Sequence, residues 1–133
     1  MGQETHTGRK VLVIDDSEIC REAEMAMLQM GGFDVRAAQD IVEFDRILES
    51  WNPEIILTDL QMPDIDGAAL CKMLRARFKT ARVPIVMFSS VDEVQLAEIA
   101  REAGADAYLS KNMGDGFLDL PDRLKALCEE IVF

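Results

Sequence analysis

Polar side chains of different chemistry close four short apolar runs in this chain of 133 residues. They are Asp15 and Asp16, Asp59, Ser89, and Lys111. An unbroken apolar run bounded by turn residues is typical of a strand buried on both faces of a parallel sheet. Because the strands of a parallel sheet all end at the same edge, we expect these five side chains to meet there.

The chemistry expected of such a cluster is phosphoryl transfer. Carboxylates that lie close together raise one another's pKa, and a divalent cation relieves the repulsion. Mg²⁺ typically binds one or two carboxylates together with waters and a phosphoryl oxygen. An aspartate can itself act as the nucleophile and form an aspartyl phosphate. The run Ile55–Leu57 ends at Thr58 and Asp59, so Asp59 is the predicted centre of the site.

Taken singly, each of these residues has a simpler interpretation. Asp16 could serve only as a helix N-cap, Ser89 could be a cap or loop residue, and Lys111 could be a solvated surface lysine. The prediction depends on their joint occurrence, in order, at the ends of separate strands.

The elements that position these residues alternate along the chain. Five strand-like runs alternate with five amphipathic segments, which predicts an α/β fold with a parallel sheet, helices on both faces and right-handed crossovers. The predicted strands are 11–14, 33–37, 55–59, 84–88 and 106–109, and the predicted helices begin near residues 17, 40, 67, 90 and 121.

Finer patterns place helix ends and helix faces. Asp40 with Glu43, and Ser90 with Glu93, resemble capping boxes. In the first helix Ile19, Ala23, Met27 and Met30 form the expected apolar stripe, and in the third helix Phe78 is expected to point inward with Ala69, Leu70, Met73 and Leu74.

Length and charge restrict the class of protein. We expect a flexible tail at residues 1–8, which holds the single histidine, His6, and one domain at 9–133. The net charge of -11 and pI near 4.4 argue against direct binding of nucleic acid or of an anionic membrane.

Cys20, Cys71 and Cys128 are widely spaced, which predicts packed thiols in a reducing compartment. No apolar run suits a signal peptide or membrane span, so we expect a cytoplasmic protein.

The strand ends together resemble the response-regulator receiver domain of two-component signalling. The likeness covers nearly the whole chain after the tail, in the segments 11–17, 57–67, 84–89 and 104–111. It implies a flavodoxin-like, doubly wound fold with five parallel strands in the order 2-1-3-4-5.

The resemblance also implies roles for the site residues. Asp59 would be the phospho-acceptor, and Lys111 would pair first with it and then with the phosphoryl group. Asp16, Asp59 and the backbone carbonyl of Gln61 would bind Mg²⁺, with Asp15 acting largely through a water.

Signalling would follow from a change of surface. Ser89 matches the switch hydroxyl and Tyr108 the aromatic residue that turns inward on activation. The domain would be a phospho-acceptor, with self-catalysed phosphoryl transfer, and not a turnover enzyme. Its partners would be a sensor histidine kinase or phosphotransfer protein, and a downstream protein at the face of the fourth helix, fifth strand and fifth helix.

Two departures from the family pattern flank the site. Asn112 stands where the family usually has proline. Val91 offers no polar group to orient an attacking water, so we expect slow self-dephosphorylation.

Three other classes compete with this reading. A haloacid-dehalogenase-type phosphatase would want an aspartate two residues after its nucleophile, where this chain has Gln61. A flavodoxin-like electron carrier would bind a flavin phosphate, which Asp15 and Asp16 would repel. A pseudo-receiver that never takes phosphate would have no need of the acidic set.

Overall fold

Five strands alternate with five helices in the computed structural model, which describes residues 8–63, 65–112 and 117–130. The elements, in chain order, are β1 (Lys10–Ile14), α1 (Glu18–Met30), β2 (Asp34–Ala38), α2 (Ile41–Ser50), β3 (Ile55–Thr58), α3 (Gly67–Ala76), β4 (Ile85–Ser89), α4 (Glu93–Ala103), β5 (Ala107–Ser110) and α5 (Leu120–Glu130).

All five strands are parallel and form one sheet in the order β2-β1-β3-β4-β5, which confirms the predicted topology. The chain leaves β1 for β2 on one side and later returns to β3 on the other. A crevice for ligands therefore forms outside the carboxyl ends of β1 and β3. Ile14 is paired with Thr58 in the register, so the residues that follow them, Asp15 and Asp59, lie side by side.

The core has two layers because the central strands are buried on both faces. Leu12, Ile56 and Met87 face the layer formed with α2, α3 and α4. Their neighbours, such as Val13 and Leu57, face the layer formed with α1 and α5. Each fully buried aliphatic side chain contributes roughly 1.5–3 kcal/mol relative to exposure, so both layers favour apolar residues on these strands. This explains the unbroken apolar runs. The buried polar residues Thr58 and Ser89 are the last residues of β3 and β4.

Two predicted helix details are wrong, and both concern helix ends. The structure caps α4 with Asp92, whose carboxylate accepts from the amides of Val94 and Gln95, and not with Ser90. A carboxylate at this position also interacts favourably with the helix dipole. The third helix ends at Ala76, so Phe78 lies beyond it and is fully exposed. The predicted cap at Asp40 is present, since Asp40 Oδ1 accepts from the Glu43 amide at 2.9 Å.

The face of α1 was also predicted wrongly. Ile19 and Met30 are 82% and 77% exposed, whereas Glu24 and Leu28, four residues apart, are the buried positions. The stripe that packs on the sheet is thus rotated from the predicted one, and it carries a glutamate into the interior.

Most of the predicted N-terminal tail lies outside the described residues. Gly8, its last residue, is described, and its amide donates to the Gly32 carbonyl at 3.2 Å. Among the described residues, every helix is too short or too polar to cross a lipid bilayer.

Candidate functional site

Backbone hydrogen bonds carry the sheet ladder one residue past the strand ends, and this sets the positions of the site residues. The amide of Asp59 donates to the Ile14 carbonyl at 3.1 Å, and the amide of Lys111 donates to the Ser89 carbonyl at 2.8 Å. The predicted site residues therefore lie at one edge of the sheet: Asp15, Asp59 and Lys111 directly follow their strands, and Ser89 is the last residue of β4.

The Lys111 ammonium lies among three carboxyl groups. Its Nζ is 3.5 Å from Asp15 Oδ2, 3.8 Å from Asp59 Oδ1 and 3.9 Å from Glu24 Oε2. The Lys111 and Asp59 side chains are 13% and 14% exposed, whereas Asp15 is fully buried. Asp59 is thus the most exposed carboxyl group of these three.

The acidic residues predicted to bind metal converge. Asp15, Asp16 and Asp59 each offer a carboxylate oxygen, and these oxygens lie within 4.8 Å of one another. Ser17 and Arg21 hold Asp15 in place, because the Ser17 amide donates to its Oδ1 and the Arg21 guanidinium donates to its carbonyl, both at 2.9 Å. A compact set of hard oxygen donors, one of them the exposed Asp16, fits Mg²⁺.

The environment of Asp59 disfavours its charge in the absence of a cation. Burial raises the pKa of Asp59, Lys111 opposes that increase, and Asp15 adds to it, so the pKa lies above its usual range. The amides of Leu60 and Gln61 also favour the carboxylate, and the Leu60 amide donates to Asp59 Oδ1 at 2.7 Å. A bound divalent cation would reverse the balance and keep Asp59 ionised.

The ammonium of Lys111 stays charged in the pocket. Burial by itself lowers the pKa of Lys111, but the three neighbouring carboxyl groups outweigh it and raise the pKa above its ordinary value. The rings of Phe88 and Phe117 lie 5.2 and 5.9 Å from the ammonium and add cation–π attraction.

Gly67 allows the loop after β3 to fold tightly beneath Asp59. The Gly67 amide donates to the Leu60 carbonyl at 2.8 Å. A Cβ at Gly67 would lie 2.4 Å from the Asp59 carbonyl oxygen, closer than any side chain can approach. Asp66 caps the following helix by accepting from the Ala69 amide at 2.7 Å. The Asp66-Gly67 pair therefore anchors the loop that carries the central carboxylate.

The predicted switch residues lie on β4 and β5. Ser89 is buried, and its Oγ accepts from the Val91 amide at 3.2 Å. Tyr108 is half-buried and lines a groove of about 510 Å³ between α4 and α5. The Asn112 side-chain amide donates to the Ser90 carbonyl at 2.6 Å, so it joins the loops after the two strands.

Glu24 is the site residue that sequence reasoning missed. Burial raises its pKa from 4.5 to about 9, with Asp15 adding to the increase and Lys111 opposing it. Its Oε1 has no hydrogen-bond partner among the described residues. The available signal was its spacing of four residues from Leu28 and seven from Gly31, which together mark the buried face of α1.

Comparison with known sequences agrees with this geometry. The family model of the response regulator receiver domain matches residues 11–120. A gliding motility regulatory protein of Myxococcus xanthus is 38% identical over 102 residues, which are 77% of this chain and 13% of that protein. The transcriptional regulatory protein GltR of Pseudomonas aeruginosa is 32% identical over 126 residues, 95% of this chain and 51% of that protein. The chain thus spans about half or less of these relatives.

Solved structures show the same architecture over the whole domain. The chemotaxis response regulator CheY4 of Vibrio cholerae superposes with a TM-score of 0.78 at 26% identity, covering 91% of this chain and 99% of that one. The receiver domain of a Francisella response regulator superposes with a TM-score of 0.77 at 27% identity, covering 92% and 98%. With the match over residues 11–120, these likenesses show that the chain belongs to the response regulator receiver domain family of two-component systems.

Proposed function

We propose that this receiver accepts a phosphoryl group on Asp59, from the phosphohistidine of a sensor kinase or phosphotransfer protein. The observation that carries the proposal is the position of Lys111, whose ammonium lies within 4 Å of both Asp15 and Asp59 at the carboxyl edge of the sheet. The Lys111 ammonium beside the carboxylate of Asp59 suits the binding of a phosphoryl group. Asp15 and Asp16 would contribute through the Mg²⁺ that they help to hold.

In the proposed reaction a carboxylate oxygen of Asp59 attacks phosphorus, an O–P bond forms, and the donor's P–N bond breaks with its electron pair leaving on the imidazole nitrogen. Mg²⁺, held by Asp15, Asp16, Asp59 and the Gln61 carbonyl, would neutralise charge on the transferring oxygens. Lys111 supplies a further positive charge to those oxygens. The Leu60 amide orients Asp59 through its hydrogen bond to Oδ1.

The proposed output is a change at the face formed by α4, β5 and α5. A phosphoryl group adds about 1.5 to 2 negative charges and new acceptor oxygens. Ser89 would leave its hydrogen bond with the Val91 amide to donate to one of those oxygens. The space it vacates would admit Tyr108, which lines the α4–α5 groove. A protein partner that binds the altered groove better than the resting one would then be recruited or released.

The same proposal covers the remaining expectations. We place the receiver in the cytoplasm, in keeping with its three free cysteines, and expect its direct partners to be proteins and not nucleic acid or membrane. The apolar side chain of Val91, which cannot orient an attacking water, supports slow self-dephosphorylation. The domain would act once per phosphorylation event and would not turn over phosphate esters, which separates it from a haloacid-dehalogenase-type phosphatase.

Mass spectrometry tests the acceptor. Incubation with Mg²⁺ and a small-molecule phosphodonor should add one phosphoryl group to the wild-type protein and none to Asp59→Asn. Asp34→Asn, at an exposed position on β2, is the matched control and should react like wild type. A phosphoryl group that still adds to Asp59→Asn, or fails to add to the wild type, would overturn the proposal.

A further inference from the structure

A glutamate of α1 reaches the phosphorylation site from inside the protein. Glu24 is only 2% exposed, and its Oε2 lies 3.9 Å from the Lys111 ammonium. The other carboxyl oxygen, Oε1, has no hydrogen-bond partner among the described residues. Burial of a polar oxygen without a partner opposes folding, so packing alone would favour an apolar residue here.

Glu24 is one of three carboxyl groups that surround the ammonium. A lysine ammonium has three hydrogens to donate. Asp15 Oδ2, at 3.5 Å, is within hydrogen-bond distance of Nζ, and Asp59 Oδ1 at 3.8 Å and Glu24 Oε2 at 3.9 Å make longer electrostatic contacts with it. These three acceptors come from separate elements: the segment after β1, the segment after β3, and α1. Lys111 is therefore held in the resting protein without help from any phosphoryl oxygen.

A phosphoryl group on Asp59 changes that balance. It brings new oxygens to the exposed side of the cluster, where Asp59 is 14% exposed and Glu24 is buried. An ammonium that turns toward those oxygens gives up its contact with Glu24. An interaction made in the resting state and lost in the phosphorylated state lowers the population of the phosphorylated state.

We infer that Glu24 is a positioning residue that holds Lys111 in the resting site and opposes its transfer to a phosphoryl group on Asp59. The inference rests on the proposed function of Asp59. It assigns to α1 a part in setting how readily this receiver is activated.

Beryllofluoride, a phosphoryl mimic, tests the inference in the presence of Mg²⁺ by isothermal titration calorimetry. Glu24→Leu removes the acceptor and replaces it with an apolar group that suits the buried position. We expect its Kd for beryllofluoride to fall roughly three- to tenfold, the size expected of a buried electrostatic contact made only in the resting state. Glu24→Gln retains an acceptor oxygen for Lys111 and should stay within about twofold of wild type.

Two further variants separate this contact from general effects on the helix. Glu22→Leu makes the same exchange at an exposed position of α1 and should leave the Kd unchanged. In a Lys111→Met background, Glu24→Leu should have no effect, because the ammonium that it releases is absent. A merely structural role for Glu24 would alter both backgrounds equally.

The results separate the two proposals. Binding by the wild type with an unchanged or higher Kd in Glu24→Leu would overturn this inference and leave the proposed function standing. Absence of binding by the wild type would overturn the proposed function and the inference with it.

Discussion

Glu24 should make the stability of the metal-free protein depend on pH, and Glu24→Gln should remove that dependence. Burial, reinforced by Asp15, raises the Glu24 pKa from 4.5 to about 9 against the opposing effect of Lys111. Between these two values the folded protein retains a proton that the unfolded chain releases. The contribution of the protonated Glu24 to the free energy of unfolding is therefore fully present below pH 4.5, and it is lost as the pH rises toward 9.

The magnitude follows from the interval between the two pKa values. Each pH unit within it lowers the free energy of unfolding by about 1.4 kcal/mol. The free energy of unfolding of the wild type is therefore about 3 kcal/mol lower at pH 7 than at pH 4.5. A glutamine side chain does not titrate. We expect Glu24→Gln to exceed the wild type in stability by about 3 kcal/mol at pH 7, and to match it near pH 4.5.

Urea unfolding followed by circular dichroism measures this difference. The series should run from pH 4.5 to 8.5 in the presence of a chelator, because a divalent cation would change the charge balance around Asp15 and Asp59. Glu22→Gln, an exposed position on the same helix, should stay within about 0.5 kcal/mol of wild type throughout. If the curves for wild type and Glu24→Gln run parallel across the whole range, the reasoning about Glu24 is wrong.

Two other predictions concern the loops around the site. Gly67→Ala places a Cβ where it would lie 2.4 Å from the Asp59 carbonyl oxygen. We therefore expect at least a tenfold lower rate of phosphorylation and a free energy of unfolding lower by roughly 1–3 kcal/mol. A normal rate measured by mass spectrometry would contradict this. Val91→Glu adds a polar group that can orient water, and should shorten the lifetime of the phosphorylated protein in a decay experiment; equal lifetimes would count against the role assigned to Val91.

The amino-acid sequence alone determined the parts of the fold that depend on local pattern. Runs such as Val11–Ile14 and Ile55–Leu57 favour burial on both faces, and within an alternating α/β pattern this is typical of a central parallel strand. The polar residue that ends each run must then lie at the carboxyl edge, which is why Asp15, Asp59 and Lys111 could be grouped before any distance was known. The strand order came from the resemblance and not from this pattern.

Only the tertiary structure decided which residues surround Lys111 and which faces of the helices are buried. An Ala- and Met-rich helix such as α1 has several faces of similar hydropathy, and the face that packs on the sheet is chosen by contacts with distant segments. At the end of α1, a Cβ at Gly31 would lie 2.4 Å from the Pro121 Cβ of α5, so the absence of a side chain there allows this close approach. The exposed Phe78 has the same origin, because α3 ends where the chain must turn back to β4, and no periodicity in the sequence records that limit.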